Sequence, residues 1–395
     1  MSVTVVVGGQ FGSEGKGKTV SLMARDRGEA CAVVRCGGPN SGHIVLEHGR
    51  EFRFRLLPAG TVYGRRGFLA PAAVIDLSVL RSEIEAFSVT PDRLNVDPYS
   101  VVISEGMRIS ERWLIDSIGS TGSGTGAATA SKCLRSPETR LIKDVVSDHP
   151  WLGPFVREVR PELHRLISRG RPVIVEGTQG FGLSLHHSRM FPHTTSKDTT
   201  AAQFVMEAGL SPLQVDEVIV VVRTFPIRVA GEQAGPLRNE ISWKQLQEES
   251  GSPEELAEFT TVTRKLRRVG RFDLDLVKDA CEVNRPTGLV VHGLDYLGWE
   301  NHGVTRFCDL NEKAKHFLRD LRSAVRVPVV YAFTGRENSC VVSDVEAFLG
   351  VDVSAIPNHG GRSHFRRLVT SPISAQREGR KGVLALRGQH RVRWP

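Results

Sequence analysis

The chain has 395 residues, 24% of them charged and 40% apolar, a make-up suited to a large core in one big α/β domain or two smaller ones. No apolar run approaches the roughly 18 residues needed to span a bilayer, and no secretory segment precedes the first strand, so a cytoplasmic location is expected, that of the host cell if a phage encodes the chain. The net charge of +8 suits phosphate-rich ligands, and six scattered cysteines without CxxC spacing fit reduced thiols better than disulfides or zinc.

Runs of β-branched residues predict strands at Val3–Val7, Ala32–Val34, Val173–Val175, Val218–Val222, Gly288–Val291 and Val327–Ala332. Helix-compatible stretches lie at Val20–Arg25, Ser78–Ala86, Val156–Ser168 and Asn311–Ala324. The alternation predicts a mostly parallel α/β sheet covered by helices, with ligand loops at the carboxyl ends of its strands. No repeat or linker divides the chain, which reads as one domain over residues 1–395 with long functional loops. The last segment, 346–395, is rich in arginine (Arg362, Arg366, Arg367, Arg377, Arg380, Arg387, Arg391, Arg393). It lacks the interleaved aromatics of single-strand binders, so a solvated basic face is favoured over nucleic-acid binding.

The first strand leads into Gly12-Ser13-Glu14-Gly15-Lys16-Gly17-Lys18. Glycines let the backbone approach phosphate, peptide N–H groups donate, and lysine adds charge. Gly12–Thr19 also satisfies the P-loop spacing G-x4-G-K-T. A P-loop leaves its strand directly, however, whereas Gly8 to Phe11 intervene here, and no acidic strand end for its magnesium follows. A P-loop switch or NTPase therefore stays open as an alternative, as does a merely structural turn.

Gly9-Gln10-Phe11-Gly12-Ser13-Glu14-Gly15-Lys16-Gly17-Lys18 resembles the signature of the adenylosuccinate synthetases, G-x-Q-W-G-D-E-G-K-G-K. That family joins aspartate to IMP using GTP. Position 13 is the family's catalytic aspartate and is Ser13 here, a change that marks a phage branch, the 2-aminoadenylosuccinate synthetases, which act on dGMP. The resemblance covers about residues 1–345 and finds no counterpart for the basic tail.

Further segments match in order. Val34-Arg35-Cys36-Gly37-Gly38-Pro39-Asn40-Ser41-Gly42-His43 resembles V-R-x-x-G-G-x-N-A-G-H. The match implies His43 as general acid and oxyanion stabiliser, and Asn40 as an acceptor-nucleotide contact. By the same resemblance Mg2+ is held by position 13 and the Gly42 carbonyl, completed by phosphate oxygens. Gly12, Ser13, Glu14, Gly15, Lys16, Gly17, Gly42 and His43 then make up the triphosphate side.

Ile118-Gly119-Ser120-Thr121-Gly122-Ser123-Gly124-Thr125-Gly126 resembles I-G-T-T-G-R-G-I-G and implies monophosphate contacts from Ser120 and Thr121, with Ser123 where the family has arginine. Arg135 occupies the place of the arginine that crosses a homodimer to the partner's monophosphate, and a surface charge is its plain alternative. In Glu176-Gly177-Thr178-Gln179-Gly180, matching E-G-A-Q-G, the Gln179 amide offers a donor and an acceptor to the purine's six-position edge. Thr195, with Thr194 as its neighbour, falls on a phosphate-binding threonine.

Glu258–Arg268 matches the loop that clamps the aspartate substrate, implying Thr261, Val262, Thr263, Lys265 and Arg267 as contacts. Lys265 replaces an arginine that also touches the ribose, and lysine cannot reproduce a planar fork. Leu289–Asp295 stands where the family reads guanine with T-K-L-D. Asp295 is retained, Gly293 replaces the lysine, and Phe333-Thr334-Gly335-Arg336 resembles the last base-pocket loop, S-T-G-P. Losing the lysine points to ATP or dATP as donor, with GTP held by Asp295 alone as the alternative.

The family's carboxylate takes the N1 proton, the six-oxygen is phosphorylated, and aspartate's amine displaces phosphate. Guanine has the same N1–H and six-oxo group but adds an amino group at C2, for which the shorter serine leaves room. Serine is a poor base unaided. An ordinary synthetase acting on IMP, or an inactive paralogue, therefore remain alternatives.

Overall fold

The computed structural model describes residues 3–260 and 265–349. Thr261, Val262, Thr263 and the basic segment from residue 350 onward lie outside the described residues.

A nine-stranded sheet organises the described chain. In chain order its strands are β1 (Val3–Gly8), β2 (Ala32–Arg35), β3 (Arg66–Leu69), β4 (Leu94–Val96), β5 (Val173–Glu176), β6 (Glu217–Arg223), β7 (Gly288–His292), β8 (Val329–Phe333) and β9 (Val341–Val342). In space they run β9-β8-β7-β6-β1-β5-β2-β3-β4. Every pairing is parallel except β8 with the edge strand β9.

Both faces of the sheet are covered, which is why its strands read as continuous apolar runs. Successive residues of one strand supply opposite cores: Val5 and Val7 pack on one face with Phe204 and Leu318, Val6 on the other with Leu22 and Ile174. Val220 and Val222 part from Val221 in the same way, as the two-residue period of a strand requires.

Each of the six predicted strands is present, and the helices shift by a few residues for identifiable reasons. The first helix starts at Lys16, four residues before Val20, because Gly15 at φ +103° turns the chain into it directly. The helix expected from Val156 begins at Val159, since Val156 forms a bridge with Val96. Pro328 has no N–H for the ladder, and β8 begins just after it. β3 and β4 went unread because Gly67 and Asn95 interrupt short runs.

Three small sheets hang on this frame, one of them the parallel pair Val74–Ile75 and Val101–Val102. A hairpin pairs His43–Glu47 with Arg50–Phe54, and Arg268–Gly270 lies between Ile227–Arg228 and Glu240–Ile241. With β1 central, the loops at the carboxyl ends of β1, β2, β5 and β6 converge, as expected of an open parallel sheet.

Candidate active site

The loop after β1 is braced from within. Gln10 pairs with the Arg223 backbone, donating to its carbonyl at 3.1 Å and accepting its N–H at 3.0 Å. The buried Glu14 carboxylate accepts from Gln10 N (3.1 Å) and Gly12 N (2.8 Å), and Lys16 Nζ donates to its other oxygen at 2.6 Å. Glu14, expected among the triphosphate contacts, therefore turns its carboxylate into the loop and not toward the cavity. Close approach explains two of the glycines: a Cβ at Gly15 would lie 2.5 Å from the His292 ring, and one at Gly17 2.6 Å from His43 Cβ.

Ser13 is exposed at the tip, with φ +58°, and its carbonyl accepts from Arg223 Nη1 at 3.3 Å. Gln179, which lines the same cavity and packs against Gly12, also has a left-handed backbone, at φ +61°. Such conformations cost about 1–2 kcal/mol for a residue other than glycine and persist where the surroundings impose them. Two of them in the wall of one cavity mark a built site.

His43 opens the hairpin and is buried beside β2 and β5. Its Nδ1 hydrogen bonds to Glu176 Oε1, which also accepts from Arg35 Nη1 at 2.8 Å, while Glu176 Oε2 accepts from Ala59 N at 2.8 Å. Burial and the Arg35 cation push His43 down to a pKa of about 4. Burial works to raise the Glu176 carboxyl, but His43 and Arg35 hold it below its ordinary range. The imidazole is thus neutral near pH 7. Arg35 Nη1 also lies 2.7 Å from Nδ1, but the Glu176 carboxylate can only accept, which assigns the ring proton to Nδ1 and leaves Nε2 without it. Neither Arg35 nor Glu176 was singled out from the sequence. The signal was there, in charged residues ending two β-branched runs.

Two cavities adjoin. The first is lined by Gly12, Ser13, Lys16, Asn40, Gly42, His43, Ser120, Thr121, Gln179, Lys265 and Arg267, with Phe11, Val229, Ala230 and Gln233 among its other wall residues. The second is lined by Thr195, Lys197, Lys132 and Thr125, and it shares Asn40 and Gln179 with the first. The expected monophosphate contacts therefore divide between adjoining cavities. Thr194 lines neither. Arg135 follows the helix Thr125–Cys133, exposed and with φ +55°, and also lines neither cavity of its own chain.

Asp295 and Gly335 lie apart from both cavities, beyond β7 and β8. Asp295 is 6% exposed, burial raises its carboxyl, and His302 Nδ1 is 3.7 Å from it. Lys18 Nζ donates to Gly335 O at 2.6 Å and stands 4.1 Å from the centre of the Phe333 ring. Burial brings Lys18 down to about 7. His292, missed in the sequence, stacks on Phe333 at 4.2 Å and lies 3.0 Å from Thr19 Oγ1. Gly293 has φ +82°, and a Cβ there would lie 2.9 Å from Thr224 Oγ1, so this backbone resists the lysine of the family pattern. Among the described residues no three His, Cys, Asp or Glu side chains converge as a metal site.

Comparison with known proteins agrees with this layout. Residues 5–148 and 138–299 match the adenylosuccinate synthetase family model. The adenylosuccinate synthetase of Methanocaldococcus jannaschii is 39% identical over 345 residues, covering 85% of this chain and 95% of the relative. That of Thermococcus sibiricus is 39% identical over 342 residues, covering 84% and 96%. The fully ligated Plasmodium falciparum enzyme superposes with a TM-score of 0.79 at 19% identity, over 87% of this chain and all of the other, a likeness of fold. Cyanophage S-2L succinoaminodeoxyadenylate synthetase (PurZ), bound to dGMP and to dATP as an energy donor, superposes with a TM-score of 0.74 at 28% identity, over 87% and 95%. The chain belongs to the adenylosuccinate synthetase family, the carbon–nitrogen ligases that join aspartate to a purine nucleotide.

Proposed function

We propose that this enzyme joins L-aspartate to C6 of dGMP, with ATP or dATP as phosphate donor, forming N6-succino-2-amino-2′-deoxyadenylate, ADP or dADP, and phosphate. The observation that carries the reading is Ser13, a short hydroxyl on the cavity wall where the family has aspartate. A purine with an amino group beside N1 needs that room. The likeness to a synthetase that binds dGMP and dATP supports it.

In this reading Gln179 holds the six-position edge, and Asn40, Ser120, Thr121, Thr195 and Lys265 hold the acceptor nucleotide. Lys265 and Arg267, with Thr261, Val262 and Thr263, receive aspartate. Lys16 faces the transferred phosphoryl group, and Asp295 with Gly335 meets the donor's base. His43 keeps its Nδ1 proton on Glu176, so Nε2 takes up a proton as phosphate charge arrives beside it and then stabilises the six-oxygen. The C6–N bond forms as the C6–O bond to the departing phosphate breaks.

Mg2+ fits the oxygen donors these residues carry: Ser13, with its hydroxyl, and Gly42, with its backbone carbonyl, line the same cavity as Lys16, and phosphate oxygens would complete the shell. The ion would neutralise phosphate charge.

Purified enzyme incubated with aspartate, Mg2+ and each of ATP, dATP and GTP, against dGMP or IMP, tests the proposal. Succinylated product with dGMP is expected, and product with IMP alone would overturn it. That second reading, an ordinary synthetase using IMP and GTP, draws on the archaeal relatives, which are more similar in sequence than the phage enzyme.

A further inference from the structure

Arg228 is 1% exposed and faces Arg268 directly across the antiparallel pair Ile227–Arg228 and Arg268–Gly270. Its guanidinium joins three separate segments. Nε donates to Ala234 O at 2.7 Å and Nη1 to Pro236 O at 2.8 Å. Nη2 donates to His193 O at 2.9 Å, Nη1 also lies 2.9 Å from Met190 Sδ, and the group stands 4.7 Å from the centre of the Phe11 ring. Arg268 holds the same loop from the other side, donating from Nη1 to Gly235 O at 2.7 Å and Gly231 O at 3.2 Å, while Glu240 takes its remaining N–H groups.

Each segment so held carries part of the site. Phe11 walls the first cavity just before Gly12 and Ser13, and the 229–236 stretch adds Val229, Ala230 and Gln233. His193 leads into Thr194 and Thr195, the latter in the wall of the second cavity. On the opposite strand, Arg268 directly follows Arg267, which lines the first cavity with Lys265. Packing behind the clamp is tight: Gly235, at φ +88°, would bring a Cβ within 2.6 Å of His193 Cβ and 2.8 Å of Arg228 Nη2.

We propose that Arg228 and Arg268 are a pair of positioning residues that fix the purine-side and aspartate-side walls of the cavity relative to one another. A planar fork spreads five donors in a fixed geometry and so holds carbonyls several ångströms apart in register, whereas an ammonium offers three donors at a single point on a flexible stem. Four loop carbonyls, Gly231, Ala234, Gly235 and Pro236, are thereby pinned between two strands.

The inference rests on the family's reaction and not on the choice of dGMP, so the test uses whichever purine monophosphate the wild-type enzyme accepts. Arg228→Lys should raise the KM for that acceptor at least tenfold, with the donor triphosphate KM within twofold. Arg268→Lys should raise the acceptor and aspartate KM values together, again sparing the donor. The double variant should be less impaired than the product of the single effects, because one loop is released once. Unchanged KM values in a folded Arg228→Lys enzyme would overturn the clamp, and so would a rise shared equally by all three substrates. Should Arg228→Lys fail to fold, Arg268→Lys decides by the same readouts.

Discussion

His43 and Glu176 reach one another from different elements: the histidine opens a hairpin beyond β2, the glutamate ends β5, and the imidazole Nδ1 bonds to the buried carboxylate. The pairing fixes the tautomer without charging the ring. Converting His43 to Ala should leave nucleotide binding near normal and lower turnover by about 10²–10⁴-fold, the usual worth of a general acid. Stopped assays with dGMP, or with IMP if that is the acceptor, measure it. Turnover near wild type would make His43 structural.

The same pairing gives a pH signature. Folding lowers the His43 pKa from 6.5 to about 4, so between those values the unfolded chain binds more protons than the folded one. Stability from this group is full above pH 6.5 and is lost as pH falls toward 4, on the order of 3 kcal/mol in total. Denaturant melts at pH 7 and pH 4.5 should show a steeper loss for wild type than for His43→Gln.

Ser13→Asp restores the carboxylate of the family pattern. It should impair use of dGMP at least tenfold by crowding the C2 amino group, and favour IMP. An undiminished dGMP rate would refute the steric account.

For the donor, comparing kcat/KM for ATP, dATP and GTP tests the loss of lysine at Gly293. Either adenine nucleotide should lead. Asp295→Ala should raise the donor KM by about tenfold or more, since a charged hydrogen bond contributes about 1.5–3 kcal/mol. A clear preference for GTP would mean that the base pocket has not been rebuilt.

Arg135 lines neither of the two cavities described, and its expected role is to complete the site of a second subunit. Arg135→Ala should mainly raise the acceptor KM, and mixing it with His43→Ala should regenerate activity through hybrid sites. A fully active monomer by light scattering would remove this role.

Much of this was legible in the chain because short signals coincide with backbone demands. The strands β1, β2, β5, β6, β7 and β8 are buried on both sides and so read as unbroken apolar runs. The glycine-rich turn announced itself because Gly15 and Gly17 must let His292 and His43 approach. Glu176 was quoted only as part of a motif, since nothing local says that a strand-end carboxylate will find a histidine 133 residues away. The Arg228–Arg268 pair depends on a cross-strand register that no single-segment pattern encodes.

The left-handed backbone at Ser13 has an evolutionary corollary. Asparagine and aspartate occupy that conformation more readily than serine does. A return to aspartate would therefore meet no barrier in the main chain, and the loop would keep its internal brace from Glu14 whichever residue sits at its tip. If Ser13 sets the acceptor as proposed, that choice is separable from fold stability, and a single codon would change it while the scaffold stays as it is.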